Sequence, residues 1–275
     1  MQNRTGAPIT CLFPRPATRS KVSHSVSIAG MPSPEAEPTQ GPISHIESVP
    51  VSLFAFPPPV TLPPTYLSRL TLRTQLPSDF ERIAEIFNSP TAMKHLDGLA
   101  PPGGWHGDRA RGLWYASDIA ARVELQERAR LEGKAFALVV IWAETGELVG
   151  VTGYARMELR GTPGRKAELG IITDVDLISS RGWKAIGTEA LHAASKYAFE
   201  ELDGVEEITL VTLQQNDEMR GWSEKVAGLV PTLTVEEWGH VAWYGYTWEQ
   251  WIAIGGVRDR LEAKLERFKS ELPPS

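Results

Sequence analysis

The sequence predicts an α/β domain built on a mixed sheet and preceded by a proline-rich arm. Two observations carry this. Apolar residues alternate, run continuously or recur every four positions in the order β-α-α-β-β-β-α-β-α-β-β, which interleaves runs of strands with helices. Composition also changes abruptly near Tyr66: residues 1–65 hold 13 of the 21 prolines, with Pro57, Pro58, Pro59, Pro63 and Pro64 close together.

Proline lacks an amide donor and restricts the residue before it, so 1–65 is expected to be a disordered or polyproline arm. Its first 34 residues carry Arg4, Arg15, Arg19 and Lys21 with no Asp or Glu. That bias is the one seen in organelle transit peptides, although the prolines oppose the amphipathic helix such a peptide needs. A plain disordered tail, or a start extended upstream of Met31, fits as well. The expected compartment is the cytoplasm, with the mitochondrion as the alternative if 1–34 is a transit peptide. A folded domain over 66–254 and an amphipathic C-terminal helix over 255–275 follow.

Leu70, Leu72 and Thr74 alternate with Thr71 and Arg73, a short strand. Pro77-Ser78-Asp79 opens a helix whose apolar face is Phe80, Ile83, Ala84, Ile86 and Phe87, and Asn88-Ser89-Pro90 stops it. The Gly- and Pro-rich stretch 97–109 reads as a loop, and a polar helix runs from about Leu113 to Glu132. Ala135–Ile141 is a buried strand, Glu144–Glu147 a turn and Leu148–Met157 the returning strand. Glu168–Val175 is the next strand. A glycine-containing loop then opens a helix with Ile186, Ala190, Ala194, Ala198 and Leu202 on one stripe. Glu207–Leu213 is a strand, Glu218–Ala227 a short helix, and 230–247 an aromatic hairpin. Trp238, Trp243, Tyr244, Tyr246, Trp248 and Trp251 read as core rather than as an acceptor pocket. Val257, Leu261, Leu265, Phe268 and Leu272 stripe the last helix for packing or a homodimer contact.

The chain is 275 residues with a net charge of −6. The acidic balance argues against nucleic acid, which demands concentrated Lys and Arg. A single cysteine, Cys11, excludes an internal disulfide framework, and no Cys/His spacing suits a metal. No apolar run approaches the ~20 residues of a membrane span.

The loop between Glu168–Val175 and the following helix carries the strongest chemical signal. The first amides of a helix lack internal partners and sit at the positive end of its dipole. Backbone N–H groups of Arg181, Gly182, Trp183, Lys184, Ala185, Ile186, Gly187 and Thr188 are candidates to surround a phosphate, and Arg181 and Lys184 add charge. The alternative is a tight turn with glycines where the backbone needs them. Neither Gly-x-x-x-x-Gly-Lys-Ser/Thr nor Gly-x-Gly-x-x-Gly occurs.

The stretch "RGWKAIGTEALHAASKYAFEEL" resembles the acyl-CoA-binding motif of GNAT-type N-acetyltransferases, nearest to the branch of ribosomal-protein N-terminal acetyltransferases, where Glu-Ala follows the glycine loop as Glu189-Ala190 does here. "LVTLQQNDEMRGWSEKVAGL", "LTLRTQLPSDFERIAEIFNSP" and "ELVGVTGY" resemble further segments of that family, in its order, over about residues 68–250. Departures are specific. Aligned on Gly187 and Glu189, the loop's middle glycine is Ala185 and its basic first position falls on Gly182. The tyrosine that many relatives use as general acid falls on Ser223, and one extra residue precedes Gly228.

The resemblance implies a mostly antiparallel central sheet flanked by helices and an acetyltransferase moving acetyl from acetyl-CoA to an amine-bearing acceptor. It implies that the loop amides from Trp183 to Gly187 hold the pyrophosphate. The pantetheine arm is then expected along a splayed edge at Ile171, Ile172 and Thr173, with a bulge causing the splay. An N–H near Ile171 or Ile172 polarises the thioester carbonyl. Asn216 is expected to hydrogen-bond the pantetheine, or else to cap the following helix. Glu168, Asp174 and Asp176 are the candidates for proton removal, with Glu168 at an acidic position of this branch, and Ser223 is the remaining catalytic candidate. His95, Asp97 and His106 lie where relatives shape the acceptor site. The alternative function is a GNAT-like acyl-CoA-binding or interaction module without turnover, motivated by Ala185 and Ser223.

Overall fold

A computed structural model describes residues 60–96, 113–157, 164–202, 204–236 and 239–269. Seven strands form one sheet: β1 (Leu70–Thr74), β2 (Phe136–Trp142), β3 (Leu148–Met157), β4 (Arg165–Thr173), β5 (Val205–Leu213), β6 (Thr232–Glu236) and β7 (Gly239–Thr247). Their spatial order is β1-β2-β3-β4-β5-β7-β6, and every pairing is antiparallel except β4 with β5. The helices are α1 (Phe80–Asn88), α2 (Pro90–Met93), α3 (Ala116–Leu131), α4 (Val175–Ser180), α5 (Ile186–Glu200), α6 (Asp217–Gly221), α7 (Trp248–Ile252) and α8 (Val257–Lys269).

The continuous apolar run of β2 exists because helices cover both faces of the sheet there. Leu138 and Val140 face the layer of α5 and α8, while Val139 and Ile141 face α1 and α3. The four-residue stripe of α5 is buried along its whole length, from Ile186 to Leu202. Tyr244, Tyr246 and Trp251 are core, as the aromatic clustering suggests, whereas Trp243 is only part-buried. Trp238 lies outside the described residues. Val257 and Leu261 of α8 pack into the α5 layer, and Leu265 is buried as well.

Two boundaries differ from the sequence reading. The folded part begins no later than Val60, not at Tyr66. Val60 and Leu62 are buried, the Leu62 N–H donates to the Leu72 carbonyl at 2.8 Å, and the Thr74 N–H donates to the Val60 carbonyl at 2.9 Å. Pro63 and Pro64 follow this pairing, where no strand donor is required. The strand expected over Glu168–Val175 ends at Thr173, because the Asp174 carboxylate accepts the Leu177 N–H at 2.8 Å and starts α4.

The feature that positions the site is a divergence. β4 pairs with β5 only from Arg165 to Glu168. Beyond that level β4 follows β3, and β5 follows β7 to Leu213. Tyr154 pairs with Leu169 and Arg156 with Glu168, so Ala155 is an extra residue. The bulge therefore lies on β3 at the level where β4 parts from β5. A bulge locally increases strand twist, which turns β4 away from its neighbour.

Truncating Leu261 to Ala should lower unfolding free energy by about 3 kcal/mol, the usual cost of emptying a buried leucine site. Urea melts of the two proteins measure it.

Candidate active site

The hydrogen bond from the Asp174 N–H to the Val149 carbonyl, 2.8 Å, fixes the alternation along β4. Even-numbered residues turn their amides toward β3 and odd-numbered ones away from it; the Leu169 N–H still meets β5 at the Glu168–Thr209 pair, while Ile171 and Thr173 turn theirs to the side that β5 has left. Ile172 instead points its N–H into the sheet and buries its side chain against α1. Of the two expected amide donors, only that of Ile171 faces the gap.

The loop from α4 to α5 divides its amides into two groups. Arg181, Gly182 and Trp183 donate to the carbonyls of Leu177, Ser179 and Ile178 at 3.0–3.1 Å, closing the end of α4. These three are not available to a phosphate, contrary to the sequence expectation. Among the described residues no acceptor meets the N–H of Ala185, Ile186, Gly187 or Thr188. Ala185 stands at the N-cap of α5 in the left-handed region, φ 60°, ψ 19°. A non-glycine residue there is strained by about 1 kcal/mol, which explains why a glycine belongs at this place in the motif. Trp183 stacks on Trp142 with centroids 4.2 Å apart, and the Arg181 guanidinium lies 5.8 Å over the Trp183 ring.

Asn216 caps α6: its Oδ1 accepts the Met219 N–H at 3.1 Å and its Nδ2 donates to the Thr212 hydroxyl at 2.9 Å. A π-helical turn, Trp222–Val226, follows α6. Such a turn accommodates one additional residue, and it accounts for the extra position before Gly228. Ser223 lies in this turn, fully buried, and its hydroxyl has no partner among the described residues. The Trp222 indole N–H donates to the Thr188 hydroxyl at 3.1 Å, so this ring spans from the π-turn to the first turn of α5. The Tyr244 hydroxyl donates to Glu224 at 2.8 Å, which holds the Glu224 carboxyl below its ordinary range, while burial pushes the Tyr244 hydroxyl up.

A cavity of 460 Å³ opens where β4 leaves β5, lined in part by Arg156, Glu168, Glu207, Thr209 and Trp243. Its side chains belong to the sheet face that carries α1 and α3. Arg156 donates to Glu168 Oε2 at 2.8 Å, and Glu168 Oε1 has no partner among the described residues. Lys166 Nζ lies 2.6 Å from Glu207 Oε2. Gly245 makes room here, since a Cβ would come within 2.7 Å of Glu207 Oε1.

Asp174 does not join Glu168. Six residues along an extended strand separate them by about 20 Å. Its Oδ1 caps α4 and its Oδ2 is held by Arg82. Asp176 accepts from Ser89 at 3.2 Å. His95 and Lys94 both meet Glu218, and the Lys94 ammonium is the main reason the Glu218 carboxyl is held down to about 2. Asp97 and His106 lie outside the described residues. Arg156, Lys166, Glu207 and Thr209 were missed by sequence reasoning: the β3–β4 register brings Arg156 beside Glu168, the β4–β5 pairing brings Glu207 and Thr209, and Lys166 lies two residues away on the same face of β4. Among the described residues no group of three His, Cys, Asp or Glu could hold a metal ion, and no helix is long and apolar enough to cross a membrane.

A family model described as the acetyltransferase (GNAT) domain matches residues 69–227, more than half of the chain. The chain belongs to the GNAT acetyltransferase family. It is thus an acetyl-CoA-dependent N-acetyltransferase whose acceptor the family leaves unspecified. Solved structures agree in fold. Mycobacterium smegmatis RimJ in complex with CoA-disulfide is 18% identical, with 75% of this chain and 93% of that one covered at a TM-score of 0.55. A GCN5-related N-acetyltransferase from Brucella melitensis is 15% identical, covering 75% and 86%, at 0.54. RimL, a ribosomal L7/L12 alpha-N-protein acetyltransferase in complex with coenzyme A, is 13% identical, covering 68% and 98%, also at 0.54. No curated protein sequence matches the chain. Within this GNAT domain the match ends at the π-turn, so β6, β7 and α8 lie beyond it.

Replacing Asn216 with Ala should lower stability by about 1 kcal/mol, the usual worth of a helix N-cap. Thermal melts of the GNAT domain check this.

Proposed function

We propose that the domain moves the acetyl group of acetyl-CoA directly to a primary amine within a ternary complex. The observation that carries this is the unpaired edge of β4 beside the open amides of α5. The residues present fit the cofactor. The N–H groups of Ala185, Ile186, Gly187 and Thr188 would hold the pyrophosphate at a helix N-terminus. Ile171 and Thr173 offer a strand edge to the pantetheine amides, as β-augmentation requires. A ligand threaded between α5 and α6 lies against the Trp222 indole or displaces it.

When bound, acetyl-CoA supplies an acyl carbon activated by its thiolate leaving group. The Ile171 N–H is placed to donate to the carbonyl oxygen where charge develops. Glu168 Oε1 accepts a proton from the incoming amine, and Arg156 holds the other carboxylate oxygen in place. The cavity beside Glu168 receives the acceptor, with Trp243 as one wall. No nucleophilic side chain is required, since the amine itself attacks. Asp174 and Ser223 take no part in this scheme: the first is a helix cap, and the second is shut inside the π-turn. The acidic net charge supports an acceptor other than nucleic acid.

Glu168→Gln should lower kcat at least 100-fold, the low end of general base catalysis. Acetyl-CoA affinity should stay within twofold by calorimetry. A kcat close to wild type removes Glu168 from the role of base. Gly187→Trp keeps the fold, since a Cβ there meets nothing within 4 Å, and its indole fills the space before the amides. It should raise the acetyl-CoA Kd at least tenfold, a difference of about 1.4 kcal/mol. Unchanged affinity in the folded variant means the pyrophosphate lies elsewhere.

A further inference from the structure

Glu189 is fully buried in the first turn of α5, and no step above uses it. Arg69 Nε donates to its Oε2 at 2.8 Å, and Arg69 Nη2 lies 2.7 Å from the same oxygen. Glu189 Oε1 accepts the backbone N–H of Arg69 at 3.2 Å and the Thr65 hydroxyl. Arg69 Nη2 also donates to the carbonyl of Lys184 at 3.1 Å. Its guanidinium sits 5.6 Å over Trp142, the ring that stacks on Trp183. One side chain from the start of β1 therefore touches the loop before the left-handed Ala185 and the helix after it.

The Lys184 carbonyl and the Ala185 N–H belong to one planar trans peptide and point in opposite directions. Holding that carbonyl toward β1 turns the Ala185 N–H away from β1. This N–H is the first of the open amides, and Ala185 must keep its strained φ for it to stay there. The carboxylate of Glu189 anchors the guanidinium and offsets its buried charge. The Thr65 hydroxyl, four residues before Arg69, completes the set of donors around that carboxylate.

We infer that Arg69 and Glu189 are positioning residues that set affinity for the diphosphate of an acyl-CoA by aiming the Ala185 N–H. This rests on the cofactor placement proposed above. The pair touches neither acceptor nor reacting atoms, so its effect falls on cofactor binding and not on the chemical step. A pair that served stability alone is replaceable by apolar side chains of similar volume.

The test is Arg69→Met with Glu189→Leu in one protein, compared with wild type. The double variant should melt cooperatively and retain kcat within about threefold at saturating acetyl-CoA. Its acetyl-CoA Kd and KM should rise at least tenfold. In the ligand-free protein, the backbone ¹⁵N–¹H resonances of Ala185 and Gly187 should shift or broaden. Wild-type Kd in the folded double variant overturns the inference. If the double variant does not fold, Arg69→Lys carries the same expectation: an ammonium preserves the charge opposite Glu189 but cannot reach the Lys184 carbonyl with a guanidinium fork. Absence of acetyl-CoA binding in wild type defeats the functional proposal. In that case unchanged amide resonances in the ligand-free variants still refute the clamp, and altered ones uphold it.

Discussion

β4 cannot pair with β5 past Glu168, and the architecture of the site follows from that constraint. A buried backbone edge without partners is costly, because each N–H and C=O loses its hydrogen bond to water without a replacement. In this sheet the cost is confined to Ile171 and Thr173, just past a bulge on the neighbouring strand. An edge of this kind is one that a peptide-like ligand can complete. The 460 Å³ cavity lies next to the divergence, over the last residues at which β4 and β5 still pair. One irregularity in strand pairing thus provides both a place for an amide-bearing arm and a place for its reaction partner, on either side of Glu168.

Much of the fold was legible because periodicity reports burial directly. The α5 stripe, the two-faced apolar run of β2 and the α8 stripe each name their own packing partners in kind, if not in identity. Less of the site was legible. The sequence places Glu168 on a strand but cannot say that Lys166 lies opposite Glu207, since register across a parallel pair is set by the whole connection between the strands. It also misses α4, whose start depends on Asp174 folding back on its own backbone. A loop that seemed to offer amides from 181 to 188 offers only the second half, because the short unseen helix consumes the first three.

The departures from the family pattern have local physical readings. The alanine in place of a motif glycine adopts the glycine conformation, so the loop path is conserved at the expense of backbone strain. The extra residue before Gly228 is absorbed as a π-turn, which shifts every later side chain around the helix axis. Inside the turn Ser223 is buried and Glu224 meets the Tyr244 hydroxyl.

Charge behaves in the same local way. The chain is acidic as a whole, yet exposed charges separated by more than about 8 Å are largely screened at physiological salt. What an anion at the start of α5 meets is the dipole of a fifteen-residue helix together with Arg181 and Lys184. Two carboxylates oppose this: Glu147, which holds the Arg181 guanidinium at 2.8 Å, and Glu189, which is buried, where its field is least screened. Arg69 cancels that field at 2.7 Å. On the proposed placement, the neutralised pair leaves the dipole and the open amides to act on the diphosphate, so a carboxylate one turn inside the helix need not oppose an anion there.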